Sequence, residues 1–240
     1  VFCVNFGGGE CLLDPFLTQV IRKLSEVGVF TSLSTSGWIF TENIWKELKE
    51  AGLNRITLSL DAPISELHDA QRGVRGVFQA ALHCMDLCRE VHLPVFLSTV
   101  LTKSNFEYLD KLFDLALEYD CIGVDIKRLR LSGNAKSLQS QTLTQEQEYT
   151  LFENIERWKS MYMPLKLNLS YNVHRKARID NGCLCGKKLL TIRSNGDISA
   201  CTFTPKILGN ALNDDIGTIW RNHKALWDLR KSETCLGDIN

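Results

Sequence analysis

The 240-residue chain lacks an excess of charge of either sign, with 28 Lys and Arg against 28 Asp and Glu. Zero formal charge and no long run of like charge argue against capture of a nucleic-acid backbone or an anionic membrane surface, so neither is expected as a partner. No stretch approaches the roughly 18 consecutive apolar residues of a transmembrane helix, and no signal-peptide architecture opens the sequence. Proline is sparse, at five residues, and neither low-complexity segments nor repeats beyond a βα unit are apparent. The remainder, 44% hydrophobic and 23% charged, suits one globular domain or one domain with a small appendage. A chain of this length buries enough apolar surface to fold without disulfides. Cysteine, by contrast, occurs nine times. An odd number without an export signal reads as reduced cytoplasmic thiols, some buried and some bound to metal. The chain begins at Val1 rather than Met, inside an apolar run, so a fragment is expected.

Residues 1–6 form that apolar run, which ends in three glycines and suits a strand covered on both faces. Asp14-Pro15 then opens a helix, Asp as cap and Pro at the first helical position, and Phe16, Leu17, Val20, Ile21, Leu24 and Val27 recur at helical spacing until Gly28. Strands are predicted at 29–35, 55–60, 95–101 and 122–129, alternating with helices capped at Thr41 and over 77–91 and 106–119. This alternation indicates parallel strands joined by right-handed crossovers, in an open sheet or a barrel. Ligands of either architecture gather at the carboxyl ends of the strands, so the loops after Phe6, Thr35, Leu60 and Leu129 should share one face. A helix over 144–161 and a strand-like segment at 165–171 follow. Beyond a boundary near residue 175 the pattern changes. Residues 189–193 and 197–202 read as a hairpin turning at Asn195-Gly196, and a last amphipathic helix runs from Ile216 toward Cys235. The domains are therefore 1–175 and 176–240.

Several polar clusters fall on the expected functional face. Phe6-Gly-Gly-Gly-Glu10 ends the first strand; glycines let a ligand approach the backbone amides, and the carboxylate accepts from an ammonium group. The same residues also suit a tight strand-to-helix turn with Glu10 in solvent. Thr35-Ser36-Gly37 supplies a second polar loop. Ser59-Leu-Asp61 and the loop His68-Asp-Ala-Gln-Arg72-Gly suit a ribose or an amino-acid carboxylate, Arg72 acting as a fork. The alternative is a loop held by a His–Asp or Asp–Arg contact.

Taken together, FGGGE, TSG, LSLDAP, HDAQRG, STVLTKSN and LRLSGNA resemble, in order and spacing, the radical S-adenosylmethionine (SAM) superfamily, in its branch with a C-terminal SPASM or twitch extension. The resemblance covers nearly the whole chain. It implies a partial (βα)6 TIM-like barrel lacking its first strand, followed by a small α+β iron–sulfur extension. It further implies that Gly8, Gly9 and Glu10 bind the methionine ammonium of SAM, with Cys11 where the family usually has proline. Ser59 and Asp61 resemble residues facing the SAM carboxylate and ribose, Arg72 a carboxylate partner, and Thr35 and Ser36 the family's TNG loop with Ser in place of Asn.

The family's C-x3-C-x2-C motif, which holds the catalytic [4Fe–4S] cluster upstream of GGE, does not occur among the nine cysteines. Cys84 and Cys88 have the first spacing without the third member and share an apolar helix face, so they are assigned to the core. The missing motif is expected upstream of Val1. Cys183, Gly196 and Cys201 give C-x12-G-x4-C, within the SPASM/twitch pattern, and Cys235 is the natural third ligand of an auxiliary cluster. Buried free thiols or a structural zinc site are the other reading of this set. Cys185 and Asp238 stay open as ligands, and Cys3, Cys11 and Cys121 are unassigned. The implied function is reductive SAM cleavage and hydrogen abstraction from a peptide or small-molecule substrate, with flavodoxin or ferredoxin as electron donor. Maturation of a ribosomally made peptide ranks first, and haem-pathway chemistry or sulfatase maturation second. The other classes considered are a βα-barrel enzyme with a phosphate loop and a non-catalytic iron–sulfur or zinc scaffold.

Overall fold

The computed structural model describes residues 1–38, 41, 43–131, 133–170 and 184–231. It divides into two units, residues 1–171 and 172–240. In the first unit six parallel strands, β1 (Cys3–Phe6), β2 (Phe30–Thr35), β3 (Arg55–Ser59), β4 (Val95–Leu101), β5 (Gly123–Arg128) and β6 (Lys166–Ser170), pair in chain order. The sixth, expected only as a strand-like segment, extends the sheet beside β5, Val124 facing Leu167 and Asp125 facing Asn168. The connecting helices are α1 (Leu17–Glu26), α2 (Ile44–Glu50), α3 (Ser65–Arg72), α4 (Val77–Glu90), α5 (Leu109–Glu118) and α6 (Gln145–Met161). Right-handed crossovers that always step the same way place these helices on one face of the sheet, with no reversal of strand order.

The strands show the consequence. Leu33, Ile56, Leu58, Leu97, Val124 and Ile126 are fully buried. Alternate positions, which point to the other face, carry Ser34, Thr57, Ser59, Ser98, Asp125 and Lys127. One face of the sheet is thus an apolar floor for the helices and the other is polar. In β1, Cys3 and Asn5 are exposed and Val4 and Phe6 half-buried, and among the described residues the strand pairs with β2.

Local signals account for most boundaries. Asp14 Oδ1 accepts from Phe16 N at 2.8 Å in the turn before α1, which starts two residues later than the expected Asp14 cap and Pro15 first position imply, with Phe16 as N-cap and no side-chain cap bond. Thr144 and Gln147 form a reciprocal capping box at α6. The segment 65–72, read from sequence as a loop, is the helix α3, ended by Gly73 in the left-handed region at φ 68°. Its polarity concealed it, His68 being its one buried residue. Cys84 and Cys88 are fully buried in α4, as assigned, and Cys121 packs beside them with its thiol 3.6 Å from Met85 Sδ. The hydrogen bond to Cys88 and burial raise the Cys84 thiol, and burial pushes Cys121 up to about 12, so both stay protonated.

The second unit holds a three-stranded antiparallel sheet, β7 (Thr191–Ile192), β8 (Asp197–Ser199) and β9 (Ile207–Asn210), and helices α7 (Ile216–Asn222) and α8 (Lys224–Lys231). The hairpin turns at Asn195-Gly196 as predicted, with Gly196 at φ 87°. The last helix is not continuous: His223, at ψ 120°, breaks it in two. Ile198, Ala200, Leu208, Ile219, Ala225 and Leu226 form a small core. Arg230 lies over the Trp220 and Trp227 rings and donates to the Gly186 and Trp220 carbonyls, fastening α8 to the start of the unit. No helix among the described residues is long and apolar enough to cross a membrane.

Candidate active site

All six strands being parallel, the residues named from the sequence for SAM binding collect at one end of the sheet, the carboxyl ends of β1, β2 and β3. Gly8 sits at φ 108°, and a Cβ placed on Gly8 or Gly9 would meet nothing within 4 Å. The backbone there is accessible from outside, as the approach of a ligand to its amides requires. Glu10, half-buried, is not a solvent carboxylate. Its Oε2 accepts from Thr35 Oγ1 at 2.9 Å, Ser36 N at 3.0 Å and Ser36 Oγ at 2.9 Å. Among the described residues its Oε1 accepts only from Leu12 N, at 3.4 Å, and so retains capacity for a further donor. The GGE and TSG segments, 25 and 26 residues apart at these contacts, therefore form one structure. Gly37 follows at φ 70°, where a Cβ would lie 2.8 Å from Leu58 Cδ1. Cys11 donates to the Ser34 carbonyl, and burial, with the neighbouring Glu10 charge, raises its thiol to about 11.

Asp61 lies in a different setting. Its side chain is 3% exposed, Oδ1 accepts from Val100 N at 2.8 Å, and Arg72 Nε makes an ionic contact with Oδ2 at 2.7 Å. Burial raises its carboxyl, and the Arg72 charge opposes that shift. The Asp61 N–H donates to His68 Nδ1 at 3.1 Å, and its carbonyl accepts from Asn105 Nδ2 at 2.8 Å. Asn105 Nδ2 also donates to the Val100 carbonyl, and Asn105 Oδ1 accepts from Thr102 N at 2.8 Å. The Asp–Arg contact weighed from sequence as the alternative to a ligand site is thus present, and both Asp61 oxygens are engaged within the protein. Ser59 lies half-buried two residues earlier, on the polar sheet face and in register with Ser98. Sequence reasoning overlooked Asn105 as the hub of this network; the available signal was its place in the STVLTKSN segment.

In the second unit, Cys201 is buried just past β8, and its Sγ accepts from Phe203 N at 3.4 Å. An N–H aimed at sulfur suits a thiolate ligand of an iron–sulfur cluster. Cys183 and Cys235 lie outside the described residues. Among the described residues no group of three or more His, Cys, Asp or Glu is placed to hold a metal ion. Among the described residues seven cysteines, Cys185 and Cys201 included, take part in no disulfide.

Parallel sheet, GGE–TSG junction and cysteine hairpin define a class. Residues 1–116 match the radical SAM superfamily and residues 183–237 the SPASM iron–sulfur cluster-binding domain. The chain belongs to the radical SAM enzyme superfamily and carries its SPASM domain. It is 26% identical to the AdoMet-dependent heme synthase of Methanosarcina barkeri over 96% of this chain and 71% of that protein. It is 25% identical to the PqqA peptide cyclase of Bradyrhizobium diazoefficiens over 97% of this chain and 61% of that protein. Its fold is similar to that of Streptococcus suis SuiB, at a TM-score of 0.81 and 17% identity over 96% of this chain and 57% of SuiB.

Proposed function

We propose that the protein containing this chain cleaves SAM reductively and abstracts hydrogen from a peptide substrate, on a partial (βα)6 barrel with the SPASM unit as a C-terminal extension. The observation that carries the reading is the Glu10 carboxylate, held through Oε2 by Thr35 and Ser36 beside an open triglycine segment. These groups fit SAM: Glu10 Oε1 would accept from the methionyl ammonium, the Gly8 and Gly9 amides would lie along the ligand, and Ser59 would offer a hydroxyl. When bound, SAM and a neighbouring [4Fe–4S] cluster supply a 5′-deoxyadenosyl radical. Cysteines outside these 240 residues are proposed to hold that cluster. Cys183, Cys201 and Cys235 would ligate an auxiliary cluster, the buried Cys201 thiol accepting a backbone N–H as such a ligand does. A flavodoxin or ferredoxin would donate the electron, and the reducing cytoplasm suits both clusters and free thiols.

A peptide substrate is favoured by two likenesses: the PqqA peptide cyclase, and SuiB, which has been solved with its precursor peptide SuiA. Haem-pathway chemistry is the second reading, favoured by the heme synthase match over nearly the whole chain. The test uses the full-length protein, reconstituted with iron and sulfide without oxygen. It should form 5′-deoxyadenosine from SAM, and Glu10→Ala should lower the yield at least about tenfold, the loss of one charge-assisted hydrogen bond. Cys201→Ala should lower the iron content. No 5′-deoxyadenosine from the reconstituted protein would overturn the reading. A mass change in a peptide encoded beside the gene, rather than in a tetrapyrrole, would decide between the two substrates.

A further inference from the structure

Asp61 was expected to face SAM, yet its side chain is only 3% exposed and each of its oxygens already has a partner within the protein. One oxygen accepts from the Val100 N–H and the other makes an ionic contact with Arg72 Nε. Arg72, by contrast, keeps most of its capacity. A guanidinium carries five donors in a planar fork. Only Nε is engaged, the side chain is 29% exposed, and Arg72 has no other partner among the described residues. With Nε held, the end-on pair of Nη groups remains, the arrangement that receives a carboxylate in two parallel bonds.

The surroundings make this orientation rigid. His68 and Arg72 are four residues apart on α3 and so share one helix face. Asp61 holds that face at both points, its N–H on His68 Nδ1 and its carboxylate on Arg72. Two fixed points four residues apart set the rotation of α3 about its axis. Asp61 is fixed in turn by Asn105 and Thr99, which donate to its carbonyl, and by Val100, so β4 and the turn after it are part of the same frame.

We infer that Asp61 is a positioning residue: it anchors Arg72 through Nε so that the free Nη pair receives the α-carboxylate of an amino-acid ligand at the strand ends. Resting on the radical SAM reading above, that ligand is SAM and the group its methionyl carboxylate. Asp61 itself does not touch SAM.

The test compares SAM with decarboxylated SAM, which keeps the adenosine, sulfonium and amine. Dissociation constants of both are measured by anaerobic equilibrium dialysis on the cluster-loaded full-length protein and its variants. Arg72→Gln should weaken SAM about 10- to 100-fold, the range for losing a charge-assisted pair, and change the decarboxylated ligand less than about threefold. Asp61→Asn keeps an acceptor for Val100 N but loses the ionic hold; it should reduce the preference for SAM in the same direction. Asp61→Asn added to Arg72→Gln should cause no further loss. Equal weakening of the two ligands by Asp61→Asn would overturn the inference, because direct ribose contact or general loosening predicts that result. Should Asp61→Asn fail to fold, Arg72→Gln decides alone, and equal weakening of both ligands by it overturns the inference. If the unaltered protein binds neither ligand, the SAM reading itself falls. Binding without the carboxylate discrimination removes only the role given to Arg72 and Asp61.

Discussion

Asn105 offers the sharpest test of how the site is held. It is 2% exposed and joins three backbone groups through one carboxamide. Nδ2 donates to the Asp61 and Val100 carbonyls, and Oδ1 accepts from Thr102 N. The effects of Asn105→Ala are unequal. The Asp61 carbonyl keeps a longer bond from Thr99 Oγ1 at 3.3 Å, and the Val100 carbonyl keeps Gln71 Nε2 at 3.0 Å. The Thr102 N–H has no replacement among the described residues. An unsatisfied buried donor costs about 1–3 kcal/mol, and a weakened carbonyl about 0.5 to 1, so the substitution should destabilise the unit by roughly 2–4 kcal/mol. For a unit of this size that lowers the melting temperature by about 5–15 °C. Chemical denaturation with an unchanged slope would report the free energy directly. Asn105→Asp adds a sign test. It keeps the acceptor for Thr102 but sets a carboxylate against two carbonyls, so its folded-state pKa must rise above the unfolded value. Its extra penalty should be largest at neutral pH and shrink as pH falls toward about 4, where protonation restores one donor. A loss below about 1 kcal/mol for Asn105→Ala would refute the idea that this side chain fastens the strand ends.

Two further outcomes follow from the same structure. His68 is fully buried with Nδ1 accepting, and burial, helped by the Arg72 charge, lowers its pKa to about 4 from the ordinary 6.5. A lowered histidine leaves the folded state neutral while the unfolded chain takes up a proton. Its contribution is therefore complete above about pH 6.5 and is lost as pH falls toward about 4, up to about 3 kcal/mol in all. His68→Asn should flatten stability between those pH values; an unchanged slope in pH-dependent denaturation would count against a neutral buried imidazole. In the second unit, Ile198→Ala removes a fully buried side chain from a small core and should cost about 2–5 kcal/mol. Limited proteolysis should then cut within residues 184–231 while residues 1–170 stay protected; equal protection of the two would show that this core does not carry the unit.

The order of strands and helices was legible because burial on one face imposes a period the residues must obey: Leu17 and Ile21 on α1, Leu33, Ile56 and Leu97 on the strands. The helix α3 was not, since a helix with one buried residue carries almost no period, and only Gly73 marked its end. The hairpin at Asn195-Gly196 was readable from its turn chemistry, whereas the break at His223 was not, the apolar spacing running on across it.

Chemical identity, then, was settled by the linear sequence: which residues could bind an ammonium, a carboxylate or iron, and in what order along the chain they occur. Allocation was decided by tertiary structure. Glu10 and Arg72 both read as ligands, and in the fold each is held by a partner while keeping an open donor or acceptor capacity. Asp61 also read as a ligand; in the fold its carboxylate is buried against Val100 N and Arg72 Nε and, on the inference above, it holds Arg72. The bonds that engage its carboxylate and carbonyl span 38 to 44 residues for Thr99, Val100 and Asn105. A local motif contains no record of such contacts, because a carboxylate's role depends on which donors the folded chain brings within 3 Å of it.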